Sequence, residues 1–304
     1  MKRLIAPILV LGLLAAACGA RGAQSIGPVP SGSPSETPSA TPSTEPTGTP
    51  TANPPGQTVT LEVWFAFMPG GSQSISIGPS LFVTHRTVPF TVGVARAALT
   101  ELLRGPSTEE GVAGISTGIP RGTELLGVSI ENGTATVDLS GAYASGGGSA
   151  TMFMRLAQVV YTLTQFPSVH GVLFKVDGKP VTTFSSEGIV LEGPQTRKDY
   201  RDQLPPILVE TPSIGERVSS PVTVSGSADV FEAVVSIRIL DANGKVITAA
   251  FTMATCGTGC RGTYEKAVRY SVDHTQPGVI EVFEASAKDG SPQFIVTIPV
   301  TLTA

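Results

Sequence analysis

Hydrophobic periodicity changes character once along this 304-residue chain, and the change divides it into two folds. Before residue 200 two stretches repeat apolar residues at helical spacing; after residue 206 none does. Thr91 to Arg104 carries Val94, Ala98 and Leu102 on one stripe, with Ala95, Leu99 and Leu103 beside it, and Gly105-Pro106 ends it. Ser149 caps a second helix whose buried side reads as Met152, Phe153, Leu156, Val159, Val160 and Leu163, closing before Phe166-Pro167. Alternating runs around them predict strands at 58–67, around Leu81 to Val83 with Val88, at 125–130, 135–139, 172–176 and 180–184. Asn132-Gly133 and Asp177-Gly178 are read as hairpin turns, because these dipeptides tolerate positive φ. The condensed order over residues 58–200 is β-α-β-β-α-β-β, an α+β layer packing.

Residues 206–304 show about seven short apolar-alternating runs and no helix: from Ile207, Val222, Val234, Val246, Tyr264, Val279 and Phe294 onward, punctuated by Pro, Gly and Asn243-Gly244. That is the pattern of an all-β immunoglobulin-like sandwich. Aromatics make up 6% of the chain, so both cores must be built from Val, Ile, Leu and Ala. Arg201 to Pro206 reads as a short semi-rigid linker, so 206–304 is expected to fold alone.

The N-terminal segment bears on location. Lys2 and Arg3 precede an apolar run from Leu4 to Leu14, too short for a comfortable membrane span. Ala15-Ala16-Ala17 and Cys18 follow. This is a signal peptide pattern, and a cysteine at the cleavage site resembles a bacterial lipobox, with Ala15 in place of the usual Leu. Residues 1–18 are therefore expected to be a lipoprotein signal, and the Cys18 thiol to take diacylglycerol and fatty acyl chains such as palmitate. Each buried CH₂ contributes about 0.8 kcal/mol to anchoring. The expected location is the extracytoplasmic face of the cell membrane. Residues 19–57, with Ser31 to Pro38 and Ala40 to Thr47 as their core, have almost no apolar side chain to bury and read as a disordered stalk. Its reach is roughly 35 Å as a coil and about 120 Å if extended. Its Ser/Thr/Pro content suits O-glycosylation.

Chemistry-bearing residues are sparse. Net charge is −4, which leaves no basic field for nucleic acid. Cys256 and Cys260 flank a Gly-rich turn, and in an exported chain a local disulfide is the default, contributing roughly 2 kcal/mol. A redox-active pair needs a cation or a helix N-terminus; Arg261 is adjacent, but no helical pattern follows. A metal site needs about four ligands, and His85, His170 and His274 lie far apart, so no metal or cofactor is expected. Gly114-Ile-Ser-Thr-Gly118 matches a nucleophile-elbow pattern without the strand before Ser116 or the helix after it. Gly146 to Ser149 could cradle an anion but lacks the Lys-Ser/Thr ending of a phosphate loop. Asn132-Gly-Thr134 is a glycosylation sequon better explained as a turn. Asp138, Glu124 and Glu131 give no reason to pair as hydrolytic carboxylates.

Two family resemblances run in order along the chain. Leu102 to Pro106, Ile119 to Thr123, Asn132 to Ser140, Ala157 to Leu163, Val176 to Val181 and Gly193 to Tyr200 resemble the GerMN domain of spore-germination proteins. Val218 to Gly226, Ala228 to Glu232, Gly262 to Tyr264 and Glu284 to Ser291 resemble the immunoglobulin-like Gmad-type partner of that domain. The resemblance implies an envelope protein without catalytic residues, and GerMN is similar in fold to ring-building assembly motifs. Arg197 and Tyr200 are given a structural part at the domain's end, as a solvated charge and a packing aromatic. The expected function is a non-catalytic binding or assembly module for an envelope protein or wall polymer, held to a membrane by its lipid and open to self-association. A wall-modifying hydrolase and a solute-binding transport accessory are the alternatives.

Overall fold

A computed structural model describes residues 56–67 and 79–304 of the chain. The leader, Cys18 and nearly all of the expected stalk lie outside the described residues.

The first domain opens with a ten-residue hairpin pair, β1 (Thr58–Phe67) and β2 (Ser80–Pro89), in full antiparallel register. The expected short strand around Leu81 is thus a long one, buried over its first half because Leu81, Phe82 and Val83 pack inward. Helix α1 (Val94–Arg104) buries Ala98, Leu99 and Leu102, the stripe read from the sequence. A short helix the periodicity does not reveal, α2 (Thr108–Val112), is closed by a capping box between Ser107 and Glu110. Two residues of β3 (Ile115–Ser116) complete a three-stranded sheet in the order β2-β1-β3.

A second sheet follows, β4 (Leu125–Glu131), β5 (Thr134–Leu139), β6 (Gly171–Val176) and β7 (Lys179–Pro180), with β5 and β6 parallel and α3 (Ser149–Leu163) as their crossover. Both hairpin turns have positive φ at each central residue, Asn132 and Gly133, then Asp177 and Gly178. The run expected at 180–184 divides: its second half, β8 (Thr183–Phe184), leaves β6 and pairs with β9 (Ile189–Val190). One residue of the α3 stripe is corrected. Phe153 is 40% exposed, whereas Arg155, Gln158 and Thr162 are buried. The helix is enclosed on more than one side, and its polar residues have partners inside.

The second domain is a sandwich of two sheets. One has the order β10-β12-β15 (Ile207–Thr211, Val222–Ala228, Gly262–Val268), the other β11-β17-β16-β13-β14. The second comprises Arg217–Val218, Pro292–Leu302, Gln276–Ala285, Val234–Leu240 and Val246–Met253 in that spatial order. β11, a two-residue strand parallel to β17, is the addition to the seven runs. Alternation is clean: Val235, Ile237 and Ile239 of β13 are buried and their neighbours are not.

Candidate functional site

The residues that fall in catalytic-looking sequence patterns are scattered and bonded within the fold. Ser116 Oγ donates to the Ala66 carbonyl at 3.3 Å, inside the β1–β3 pairing. Asp138 accepts from the Gly178 amide at 3.0 Å and fixes the neighbouring turn. Along the β4–β5 hairpin, Glu131 pairs with Thr134 and Gly127 with Asp138, which separates the two carboxylates by roughly 13 Å at ~3.4 Å per residue, beyond the spacing of a glycosidase pair. His170 packs on Gly133, His274 bonds to Asp273 and His85 faces the second domain. Among the described residues no group of three or more His, Cys, Asp or Glu side chains could hold a metal ion.

The Gly146–Ser149 loop offers carbonyls rather than amides. Arg155 donates to Gly118 O (2.9 Å), Ser145 O (3.1 Å), Gly146 O (3.2 Å) and Tyr143 O, with its guanidinium 5.9 Å over the Tyr143 ring. A buried cation thus takes the place expected for an anion. Burial pushes its pKa down, and the neighbouring Tyr143 partly opposes that.

The same helix seals the bare edge of β1. Gln165 accepts from Glu62 N (2.8 Å) and donates to Glu62 O (2.7 Å). Thr162 Oγ1 accepts from Trp64 N (3.1 Å), and Gln158 donates to Trp64 O (3.2 Å) while accepting from Gly118 N (2.7 Å). Positions 158, 162 and 165 lie on one helical face. Gln158 and Thr162 on α3, with Gln165 just past its end, are the sequence signal of this seam.

Two arginines flank the junction between the domains. Arg197 keeps 39% of its side chain exposed and also has partners: it lies 4.8 Å from the Tyr161 ring centroid and 5.2 Å from that of Trp64, and donates to Thr164 Oγ1 at 2.8 Å. Tyr200 packs as expected, buried with its hydroxyl 2.8 Å from Gln195 Oε1. On the other side Arg261 donates to Pro205 O in the linker and, at 3.2 Å, to Ser227 O on β12 of its own domain. Between the arginines sits Glu210, whose pKa is raised by burial and by the charge of Glu62, against the opposing pull of Arg197 and Arg261. His85 Nδ1 lies 2.6 Å from Ser213 Oγ, a tie between the domains.

Beside Arg261, Cys256 and Cys260 are joined by a disulfide. The loop they close is a bracket. Thr258 N donates to Val230 O (2.9 Å), Gly259 N to Asp229 Oδ1 (2.8 Å), and Thr258 Oγ1 accepts from Glu232 N (3.0 Å). It holds a turn in which Glu232 and Ala233 both have positive φ, a conformation costly for residues with a Cβ. Gly257 lies so close to Ala233 that a Cβ there would stand 2.5 Å from its amide nitrogen.

The described part of the chain is therefore an α+β domain locked to an immunoglobulin-like sandwich, with its polar groups spent on structure. Residues 72–182 match the family model Germane, described as sporulation and spore germination, and residues 206–291 match Gmad2, an immunoglobulin-like domain of bacterial spore germination. The chain carries these two germination-related domains in that order. Among solved structures it is similar to the first GerMN domain of the sporulation protein GerM from Bacillus subtilis, at 25% identity over 46% of this chain and 99% of that one, TM-score 0.36. The tandem GerMN domains of the same protein match at 16% identity over 81% of this chain and 61% of that one, TM-score 0.40. No curated protein matches the chain.

Proposed function

We propose that the chain is a lipid-anchored envelope protein that works by binding, as a non-catalytic recognition or assembly module for an envelope protein or wall polymer. The observation that carries this reading is that the side chains in catalytic-looking sequence patterns serve as structural ties: Ser116, Asp138 and the cysteine pair each hold backbone or one another. A junction tied by His85 and Ser213, with Glu210 within the field of Arg197 and Arg261, supports it further, since a fixed pair of domains offers a preorganised surface and spares the entropy of ordering it on binding. Anchoring rests on the Lys2-to-Cys18 segment. No helix among the described residues is long and apolar enough to cross a membrane.

Cell fractionation of a Cys18→Ala variant tests the anchor. Release of the variant into the soluble fraction is expected, and its retention with membranes contradicts the lipid. Capture of the chain with its bound partner from the native envelope tests the rest: an intact protein or polymer retained in proportion to the chain is expected, and a cleaved one argues for hydrolysis.

A further inference from the structure

The outer face of the five-stranded sheet is apolar where a sandwich normally turns polar. Val235, Ile237 and Ile239 of β13 point into the core, so Ser236, Arg238 and Leu240 point outward, and pairing carries that orientation across the sheet. Leu240 aligns with Val246 on one side and Val279 on the other. Ser236 aligns with Phe251 and Phe283 in the same way, and Met253 extends the patch along β14. Phe251 is 66% exposed, Met253 63% and Val246 45%. The three-stranded sheet behaves differently: its outward residues on β12 are Thr223, Ser225 and Ser227, the usual polar exterior.

We propose that this apolar face is the contact between two copies of the chain, packed sheet against sheet across a two-fold axis. Charge favours a second copy over a charged stranger. The charges in its middle row, Arg238 and Glu281, are bonded to each other, and Arg238 lies 5.0 Å over the Phe283 ring. With that pair closed the centre of the face carries no net charge, Arg217 of β11 standing at its far edge, so two identical faces meet at the centre without repulsion, and a two-fold brings each arginine towards the other copy's glutamate. Area fits as well. The four long strands β17, β16, β13 and β14, each ~4.8 Å wide and seven or more residues long, span roughly 20 by 24 Å, which with side-chain relief is of the order of the ~800 Å² per partner in a standard interface. The contact leaves the junction with the first domain untouched, since that junction uses β10 and Arg261 of the other sheet. The inference does not depend on the function proposed above.

Sedimentation of the full chain up to about 100 μM, compared with Phe251→Glu, tests it. The wild type is expected to dimerise reversibly, and the variant, whose exposed position leaves the fold intact by circular dichroism, to raise the dissociation constant tenfold or more. Thr223→Glu, on the polar sheet, should leave dimerisation as it was. A wild type that stays monomeric, or self-association equally strong in Phe251→Glu and therefore driven from elsewhere, overturns the proposal.

Discussion

The two domains solve the same problem in opposite ways. The first buries polar side chains: Arg155, Gln158, Thr162 and Glu110 are all inside. The second has a core of Val, Ile, Leu, Ala and Tyr, and places its surplus apolar groups outside, on the five-stranded sheet. The difference follows from topology. Two small sheets joined by a crossover helix leave strand edges and loop carbonyls that no strand can pair, and a buried backbone group without a partner costs about 1–3 kcal/mol. Side chains from α3 must supply those bonds. In the sandwich the strands pair with each other, and β14 is tied across the seam by Thr248 and Thr252, which donate to the Arg269 and Glu265 carbonyls. Polar residues in the first core therefore specify one arrangement, while the second core relies on shape.

Substitutions can break this contrast. Arg155→Met strands four carbonyls at once and should cost about 3–5 kcal/mol, with a melting temperature lower by roughly 10 °C. A loss under about 1 kcal/mol in urea unfolding means that water replaces the arginine and the cage is incidental. Gln158→Leu keeps most of the volume but unpairs Trp64 O and Gly118 N, for about 2–3 kcal/mol. Ser replacement of both Cys256 and Cys260 should lower second-domain stability by roughly 2 kcal/mol, because the bracket on the 230–233 turn loosens. Ile237→Val, a core change in the sandwich, should cost about 1 kcal/mol. If it proves costlier than Gln158→Leu, shape rather than polar pairing dominates both domains.

Acid sharpens the comparison, since the two domains carry carboxylates shifted in opposite directions. Burial raises the Glu110 pKa, but the two bonds from Arg86 and the Ser107 amide outweigh it, and the net shift is downward. Its stabilising contribution is present above the ordinary value of 4.5 and is lost as pH falls through the lowered one. Glu210 at the junction is raised, so its charged form opposes folding, and stability is gained as pH falls through its elevated pKa. Urea midpoints followed from neutral pH towards 4.5 should show a gain in the wild type that Glu210→Gln abolishes. An identical profile in both proteins shows that the junction does not sense the charge.

Much of the architecture was legible in the sequence because it rests on local rules. The α1 stripe, the two turns with positive φ and the seven alternating runs follow from side-chain periodicity and backbone sterics. The short helix at Thr108–Val112 was hidden because five residues carry no period, although Ser107 with Glu110 is a capping box visible in the letters. Phe153 was misplaced because the stripe was taken as wholly apolar, whereas long-range partners decide that Arg155 and Gln158 turn inward. The ring contacts of Arg197 are hidden from the sequence for the same reason: its aromatic partners lie 133 and 36 residues away, at Trp64 and Tyr161. A 206–304 fragment loses the His85–Ser213 contact and the packing of β10 against β2, so it should fold but melt below its value in the full chain.

The account turns on the chain acting by binding rather than by chemistry. The most direct measurement is incubation of the purified chain with isolated wall polymer and with envelope protein extracts, following pelleted complex and soluble fragments over time. Saturable association with one of the two, with no fragment released above a no-protein control, is the predicted result. Fragments that accumulate in proportion to time and chain concentration would contradict it.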